Sequence, residues 1–219
     1  MIAAGSGYNT LLGADGNDAI LGTDGNDTFG DGRGNDVYQY DFAMDGEDIF
    51  QESSGSDRLA ILDSSIQSLA FRRSGTSLVI EKSGSAGKVV ISDRHGASGT
   101  RIERLDTMTG GYLLKTSLSG SGGAEVFVGT SGDEAIDAKG GDDILFASGG
   151  SGQDDVRGGT GNDLYRFEFA SSDEDVLSEV NGGGTDTLSI LDASAEALSI
   201  RRPSATLIIE KSDAPGRAR

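Results

Sequence analysis

The residues with the most chemical potential in this sequence are acids set at a fixed interval. In "GADGNDAILGTDGNDTFGDGRGNDVY", residues 13–38, Asp18, Asp27 and Asp36 stand nine apart, as do Gly16, Gly25 and Gly34. Two positions after each acid comes an apolar or aromatic residue: Ile20, Phe29 and Tyr38. The same register returns from Gly129, where Glu134, Asp143, Asp154 and Asp163 each precede an apolar residue by two, namely Ile136, Leu145, Val156 and Tyr165. Asn9, two before Leu11, reads as a degenerate opening position that caps the first array. Regularly spaced carboxylates, in a chain without cysteine, suit a hard cation with oxygen ligands rather than a thiolate metal.

A nine-residue unit divides into a six-residue turn, where glycine permits positive φ, and a short strand whose β-favouring residue points inward. Two units complete one flat turn of a coil, and stacked strands lie ~4.8 Å apart. Asp18 is then expected above Asp36, and Asn9 above Asp27 on the opposite side. Two bare carboxylates at that spacing repel by roughly 3 kcal/mol at an effective dielectric of ~20. Calcium takes oxygen ligands at ~2.3–2.6 Å, so an ion midway between two stacked acids meets both. The turn glycines Gly13, Gly16, Gly22, Gly25 and Gly34, with Gly149, Gly152, Gly158 and Gly161 in the second array, expose backbone carbonyls that can complete the coordination. Asp15 and Asp24 lie in the loops, where each either adds a carboxylate or is a solvated turn residue.

Each unit orders nine backbones at ~1–2 kcal/mol apiece but buries only one or two apolar side chains, at ~1.5–3 kcal/mol each. Calcium binding is therefore expected to supply folding energy, and the metal-free arrays to be expanded. In the second array Ala138 replaces the first glycine of its unit, and the extra residues Ala147 and Ser148 are expected to separate stacking partners.

The similarity extends past the arrays. "GNDVYQYDF" matches "GNDLYRFEF", "DRLAILDSS" matches "DTLSILDAS", and "LAFRRSGTSLVIEKS" matches "LSIRRPSATLIIEKS", so the chain is a tandem duplication. Residues 1–118 form the first copy, a roll over about 4–43 with a capping segment over about 44–118. The Ser/Gly-rich stretch 119–128 reads as a flexible linker. Residues 129–219 form the second copy, a roll over 129–170 and a capping segment over 171–219 that reads as truncated at "APGRAR". Alternation in "SLVIEK" and "KVVIS" predicts hairpins that cover the open end of the coil. Tyr38, Tyr40 and Phe42 alternate onto one face, and core packing is favoured over a ligand-stacking role. The expected fold is all-β: two parallel β-rolls, each followed by a hairpin-rich cap.

The units "GADGNDAIL", "GTDGNDTFG", "GGSGQDDVR" and "GGTGNDLYR" resemble the RTX nonapeptide G-G-x-G-x-D-x-U-x, with U a large apolar residue. "LAFRRSGTSLVIEKSGSAGKVVISDR" resembles the segment that commonly follows such arrays in haemolysin-type calcium-binding proteins. The resemblance implies a parallel β-roll that folds on extracellular calcium after unfolded export through a type I secretion machinery. It implies as ligands the acids Asp18, Asp27, Asp36, Asp143, Asp154 and Asp163, with Asn9 and Glu134 in the same position.

The formal net charge of −18 disfavours nucleic acid and anionic membrane surfaces as partners and leaves cations. No stretch approaches the ~20 apolar residues of a membrane span, so no direct membrane insertion is expected. An EF-hand is excluded by the missing D-x-[DN]-x-[DN]-G loop, and an array of solvated Asx turns would not hold every acid in phase with an apolar residue. Catalysis has little to work with: His95 is the lone histidine and reads as a loop residue, and neither H-E-x-x-H, G-x-S-x-G nor a P-loop is present. Three functional settings stay open: a calcium-dependent folding module of a secreted protein, the accessory region of a larger toxin, protease or lipase, and a calcium-stiffened adhesive spacer.

Overall fold

A computed structural model describes residues 1–3, 5–30, 32–44, 46–52, 54–92, 94, 102–130, 132–146, 152–169, 175–181, 183–201 and 208–211. The described residues are strands and turns apart from two short 3-10 segments, Ile66–Ser68 and Ala195–Ala197. Among them no helix is long and apolar enough to cross a membrane.

Glycines on either side keep the strands short. The first copy opens with β1 (Ile2–Ala3), β2 (Thr10–Leu12), β3 (Ala19–Leu21), β4 (Thr28–Gly30), β5 (Val37–Tyr40), β6 (Glu47–Gln51) and β7 (Asp57–Ile61). Odd strands pair in parallel with odd ones and even with even. Ile20 thus lies against Tyr38 and Tyr38 against Leu59, while Leu11 lies against Phe29 and Phe29 against Phe50. Two units therefore make one turn of a parallel β-roll, and the apolar residue of each unit faces its interior. Phe29 and Phe50 stack with ring centroids 4.9 Å apart, and Tyr38 meets Phe50 edge-on at 5.3 Å.

The cap consists of β8 (Leu69–Ser74), β9 (Ser77–Lys82), β10 (Lys88–Ile91), β11 (Ile102–Thr107) and β12 (Gly110–Leu114). Strand β10 runs parallel to β6 on one side and antiparallel to β9 on the other, so the β8–β9 hairpin is sewn onto the roll. Strand β11 extends the other sheet beside β7, and β12 returns antiparallel to it.

The second copy contains β13 (Glu125–Val128), β14 (Ala135–Asp137), β15 (Ile144–Phe146), β16 (Asp155–Arg157), β17 (Leu164–Phe167), β18 (Val176–Ser178), β19 (Thr187–Ile190), β20 (Leu198–Arg201) and β21 (Ile208–Lys211). Here the structure corrects the sequence reading at 119–128, which is not a flexible linker. Strand β13 occupies its end, pairs in parallel with β12 and with β15, and thereby carries one ten-stranded sheet through both copies. The physical reason lies in "GSGGAEVFV", residues 120–128, which is itself a nonapeptide unit with Glu125 two ahead of the buried Phe127. Its Gly/Ser residues are the turn of a roll unit, and the second array begins at Gly120.

Residues 147–151, including the Ala147–Ser148 insertion, lie outside the described residues. Register nevertheless holds across them, with Ile144 opposite Leu164 and Leu145 opposite Tyr165. The insertion does not separate the stacking partners, since Asp143 N–H still donates to Asp163 Oδ1 at 2.8 Å.

Stacking also dictates glycine in the turns. Gly25 has φ +117°, and a Cβ there would lie 2.2 Å from the carbonyl oxygen of Gly7 in the turn beneath. The turns touch backbone to backbone, which no side chain permits.

Candidate metal centre

The roll turns the periodic acids into ladders. The N–H of each acid position donates to the Oδ1 of the acid one turn further along: Asn9 to Asp27 at 2.8 Å, Asp18 to Asp36 at 2.5 Å, Asp27 to Asp48 at 2.8 Å and Asp36 to Asp57 at 2.8 Å. The second copy repeats this from Glu125 to Asp143 at 2.8 Å, Glu134 to Asp154 at 2.9 Å, Asp143 to Asp163 at 2.8 Å, Asp154 to Asp175 at 2.9 Å and Asp163 to Asp186 at 3.1 Å. The residue before each acid builds a parallel outer column, as where Asn35 N–H donates to Asn17 Oδ1 and Ser56 N–H to Asn35 Oδ1. These bonds fix the carboxylate plane and leave its second oxygen to face something else.

That second oxygen identifies the missing partner. Asp27, Asp143 and Asp163 are at most 1% exposed, and the Oδ2 of each is buried with no hydrogen-bond partner among the described residues. An unpaired buried carboxylate oxygen is costly, and the electrostatics register it. Burial is the largest cause raising Asp143 to about 8, opposed by the hydrogen bond from Glu125 N–H and reinforced by the charges of Asp163 and Glu125. Burial likewise raises Asp48, Asp154 and Asp163 to about 6, with Asp27, Glu134 and Glu179 as the respective leading charged neighbours.

Two groups of three acids converge closely enough for one ion. Asp36, Glu52 and Asp57 each offer an oxygen within 4.8 Å of the others, and so do Asp163, Glu179 and Asp186. Atoms within that span need close in by only a few tenths of an ångström to hold a central cation at calcium–oxygen distances. The first glycine of a unit keeps the space open: a Cβ on Gly158 would lie 2.4 Å from Asp163 Oδ2 and 2.5 Å from Glu179 Oε1, and one on Gly13 would lie 3.0 Å from Asp18 Oδ2. An all-oxygen, anionic donor set with a backbone-lined cradle fits a hard divalent cation.

Other rungs are satisfied by the protein's own donors. Asn9 Nδ2 donates to Gly5 O at 2.6 Å, Gly7 O at 3.2 Å and Asp27 Oδ1 at 3.3 Å, so an amide nitrogen gathers turn carbonyls and a carboxylate together. Glu134 turns back to Thr130, whose N–H donates to it at 3.0 Å. Glu125 accepts from Ser121 and pairs with Lys115 Nζ at 3.2 Å. Asp63 accepts from Phe42 N–H and from Lys82 Nζ at 2.5 Å, and the corresponding Asp192 accepts from Phe169 N–H and from Lys211 Nζ at 2.7 Å. Burial works to raise Asp63, but the Lys82 contact and its other hydrogen bonds hold it below the ordinary carboxylate value. In each copy a lysine thus takes the cation position where the roll meets its hairpin. Lys82→Met is expected to lower stability in chelator by about 1–2 kcal/mol, between the worth of an exposed ion pair and that of a buried hydrogen bond to a charged group. Denaturant unfolding with and without calcium checks this, and calcium stoichiometry should not change.

Of the remaining sequence candidates, Asp15 and Asp24 lie exposed in the turns. Gly22 packs against Phe29 and Tyr40 rather than beside its acid, and Gly16, Gly34, Gly152 and Gly161 belong to turn-on-turn columns. Gly149 and His95 lie outside the described residues. Sequence reasoning left out Glu52, Asp48, Asp57, Glu125, Asp175, Glu179 and Asp186 as ligand candidates. The Gly-x-Asp-x-apolar echoes at Gly46–Phe50 and Gly55–Leu59, and Asp175 and Asp186 two ahead of Leu177 and Leu188, were the available signal.

No protein-family model matches the chain, and no curated protein sequence matches it significantly. Among solved structures, the extracellular lipase LipA from Serratia marcescens is similar at 18% identity and a TM-score of 0.31, over 94% of this chain and 35% of the lipase. The chain spans about a third of that structure's length.

Proposed function

We propose that this chain is a calcium-binding RTX module whose β-roll folds when calcium enters the acid ladders. The observation that carries this reading is the buried Oδ2 of Asp27, Asp143 and Asp163, which has no hydrogen-bond partner among the described residues, each on an acid held rigidly by the rung before it. Calcium supplies the missing positive charge and couples its binding energy to folding. A requirement for abundant free calcium suits a protein that acts outside the cell. By resemblance the module belongs to a bacterial protein exported through a type I machinery, in which it contributes binding and folding rather than catalysis.

A second setting is favoured by the ten-stranded sheet that passes through both copies without a flexible joint. Such a continuous sheet would serve as a calcium-stiffened spacer within an adhesive surface protein. The accessory region of a toxin, protease or lipase remains the third setting, and it uses the same ladders.

Far-UV circular dichroism in chelator, followed by titration with calcium and with magnesium, tests the core proposal. A cooperative gain of β signal with calcium alone is expected. A β-rich spectrum in chelator that calcium leaves unchanged would overturn it.

A further inference from the structure

Two glutamates stand where several other units place a small residue. The position just after the strand is Gly13 for β2, Gly22 for β3, Ala138 for β14 and Gly158 for β16. After β6 it is Glu52 and after β18 it is Glu179, at corresponding places in the two copies. An ordinary rung brings together one carboxylate from each of two stacked turns, as with Asp143 and Asp163. At these two places a third is added: Glu52 joins Asp36 and Asp57, and Glu179 joins Asp163 and Asp186.

The added carboxylate of copy two is held in place. Tyr165, two residues after Asp163, accepts from Gly158 N–H at 2.7 Å and donates to Glu179 Oε1, with Ser178 O at 3.1 Å as the alternative acceptor. Gly159 N–H donates to Glu179 Oε2 at 3.1 Å. Gly158 marks the space between these groups, since a Cβ there would lie 2.4 Å from Asp163 Oδ2, 2.5 Å from Glu179 Oε1 and 2.6 Å from the Tyr165 hydroxyl. Asp163 is 1% exposed, and its Oδ2 faces that space with no hydrogen-bond partner among the described residues. Copy one repeats the four residue types in the same order, Asp36, Tyr38, Glu52 and Asp57, and buries all of them. Three carboxylates whose oxygens lie within 4.8 Å of one another repel, and a single cation relieves all three.

We propose, resting on the calcium reading above, that these two places form a class of site separate from the ordinary rungs, with three carboxylates around one calcium ion. Calcium is held more tightly as the number of charged ligands and the rigidity of the site increase. Both increase here, because a third acid enters and, in copy two, a tyrosine hydroxyl and a backbone N–H fix it. Each roll therefore holds one calcium longer than its other rungs hold theirs. Tyr165 is a positioning residue, acting on the ion through Glu179.

Stopped-flow mixing of the calcium-loaded, full-length protein with a fluorescent calcium chelator tests this from the folded state. Two ions per chain are expected to leave at least about tenfold more slowly than the rest. Glu179→Gln should remove one ion from the slow phase and leave the other, Glu52→Gln should do the converse, and the double variant should abolish the phase. Tyr165→Phe keeps every carboxylate but frees Glu179, so one slow ion should leave about tenfold faster while the other, and the total number bound, stay as in wild type. A general loosening of the fold would instead speed both. Glu81→Gln, which removes an acid paired with Arg72 on the surface, should change neither. Circular dichroism in millimolar calcium checks that each variant reaches the wild-type β signal, and the wild-type release alone is decisive if one does not. A single release phase in the wild type, or a slow phase that survives loss of both glutamates, would overturn the proposal and leave the calcium reading standing. A loaded protein that carries no calcium would overturn both.

Discussion

Asp143→Asn is expected to move the metal-free and calcium-bound states in opposite directions. Asn keeps the Oδ1 that accepts Glu125 N–H but removes the charge whose burial raises this group to about 8. A carboxyl raised from 3.8 to about 8 in the fold binds more protons in the native than in the unfolded chain across that interval. Metal-free stability therefore falls as pH rises through the interval and levels off above it. In chelator at pH 8.5 the variant should gain β structure over wild type, by a few kcal/mol at most once nearby solvent is allowed for. Its calcium affinity should fall about tenfold or more, because a charged ligand is lost. A variant less folded than wild type in chelator at pH 8.5 would contradict this account.

The same chemistry makes calcium compete with protons. In a metal-free roll that is already folded, Asp143 is raised to about 8 and Asp48, Asp154 and Asp163 to about 6, so calcium entering that roll should expel protons, whereas an expanded chain, whose carboxyls are already ionised at pH 7, should release almost none. Calorimetry in two buffers of different ionisation enthalpy reads the number released, which should be larger at pH 5 than at pH 8. Acid should itself promote the metal-free fold of wild type, with more β signal at pH 5 than at pH 8.

Much of this was legible in the sequence because a rigid period constrains both chemistry and backbone. The inward positions of Ile20, Phe29 and Tyr38 and the stacking of Asp18 on Asp36 follow from nine residues per unit and two units per turn. Legibility fails where the period drifts. Asp27 stacks on Asp48 and Asp36 on Asp57 at a separation of 21, and Asp163 on Asp186 at 23, because turns absorb extra residues while strands keep register. Glu125 was missed for another reason: Gly and Ser are the ordinary composition of both a flexible joint and a tight turn, and only the phase of Glu125 with Phe127 separates the two. Glu52 and Glu179 come from outside the repeated acid position, so only folding brings them beside Asp57 and Asp186.

Gly25→Ala, compared with Gly7→Ala, isolates what turn stacking contributes. Both glycines have positive φ, +117° and +108°, so alanine bears a similar backbone strain at either site, on the order of 1 kcal/mol. Their surroundings differ: a Cβ on Gly25 would strike the Gly7 carbonyl oxygen at 2.2 Å and carbon at 2.7 Å, whereas one on Gly7 meets nothing within 4 Å. The clash is backbone on backbone, and Gly7 N–H is held by Asp24 O at 2.9 Å, so neither turn yields without breaking the rung between them. Gly25→Ala should cost at least about 2 kcal/mol more than Gly7→Ala in saturating calcium, in line with overpacking of a close-packed contact. Because the displaced turn carries Asp27, it should also lower calcium affinity, and Gly7→Ala should not. Equal losses from the two substitutions would mean that the turns stack loosely and that backbone strain alone selects glycine there.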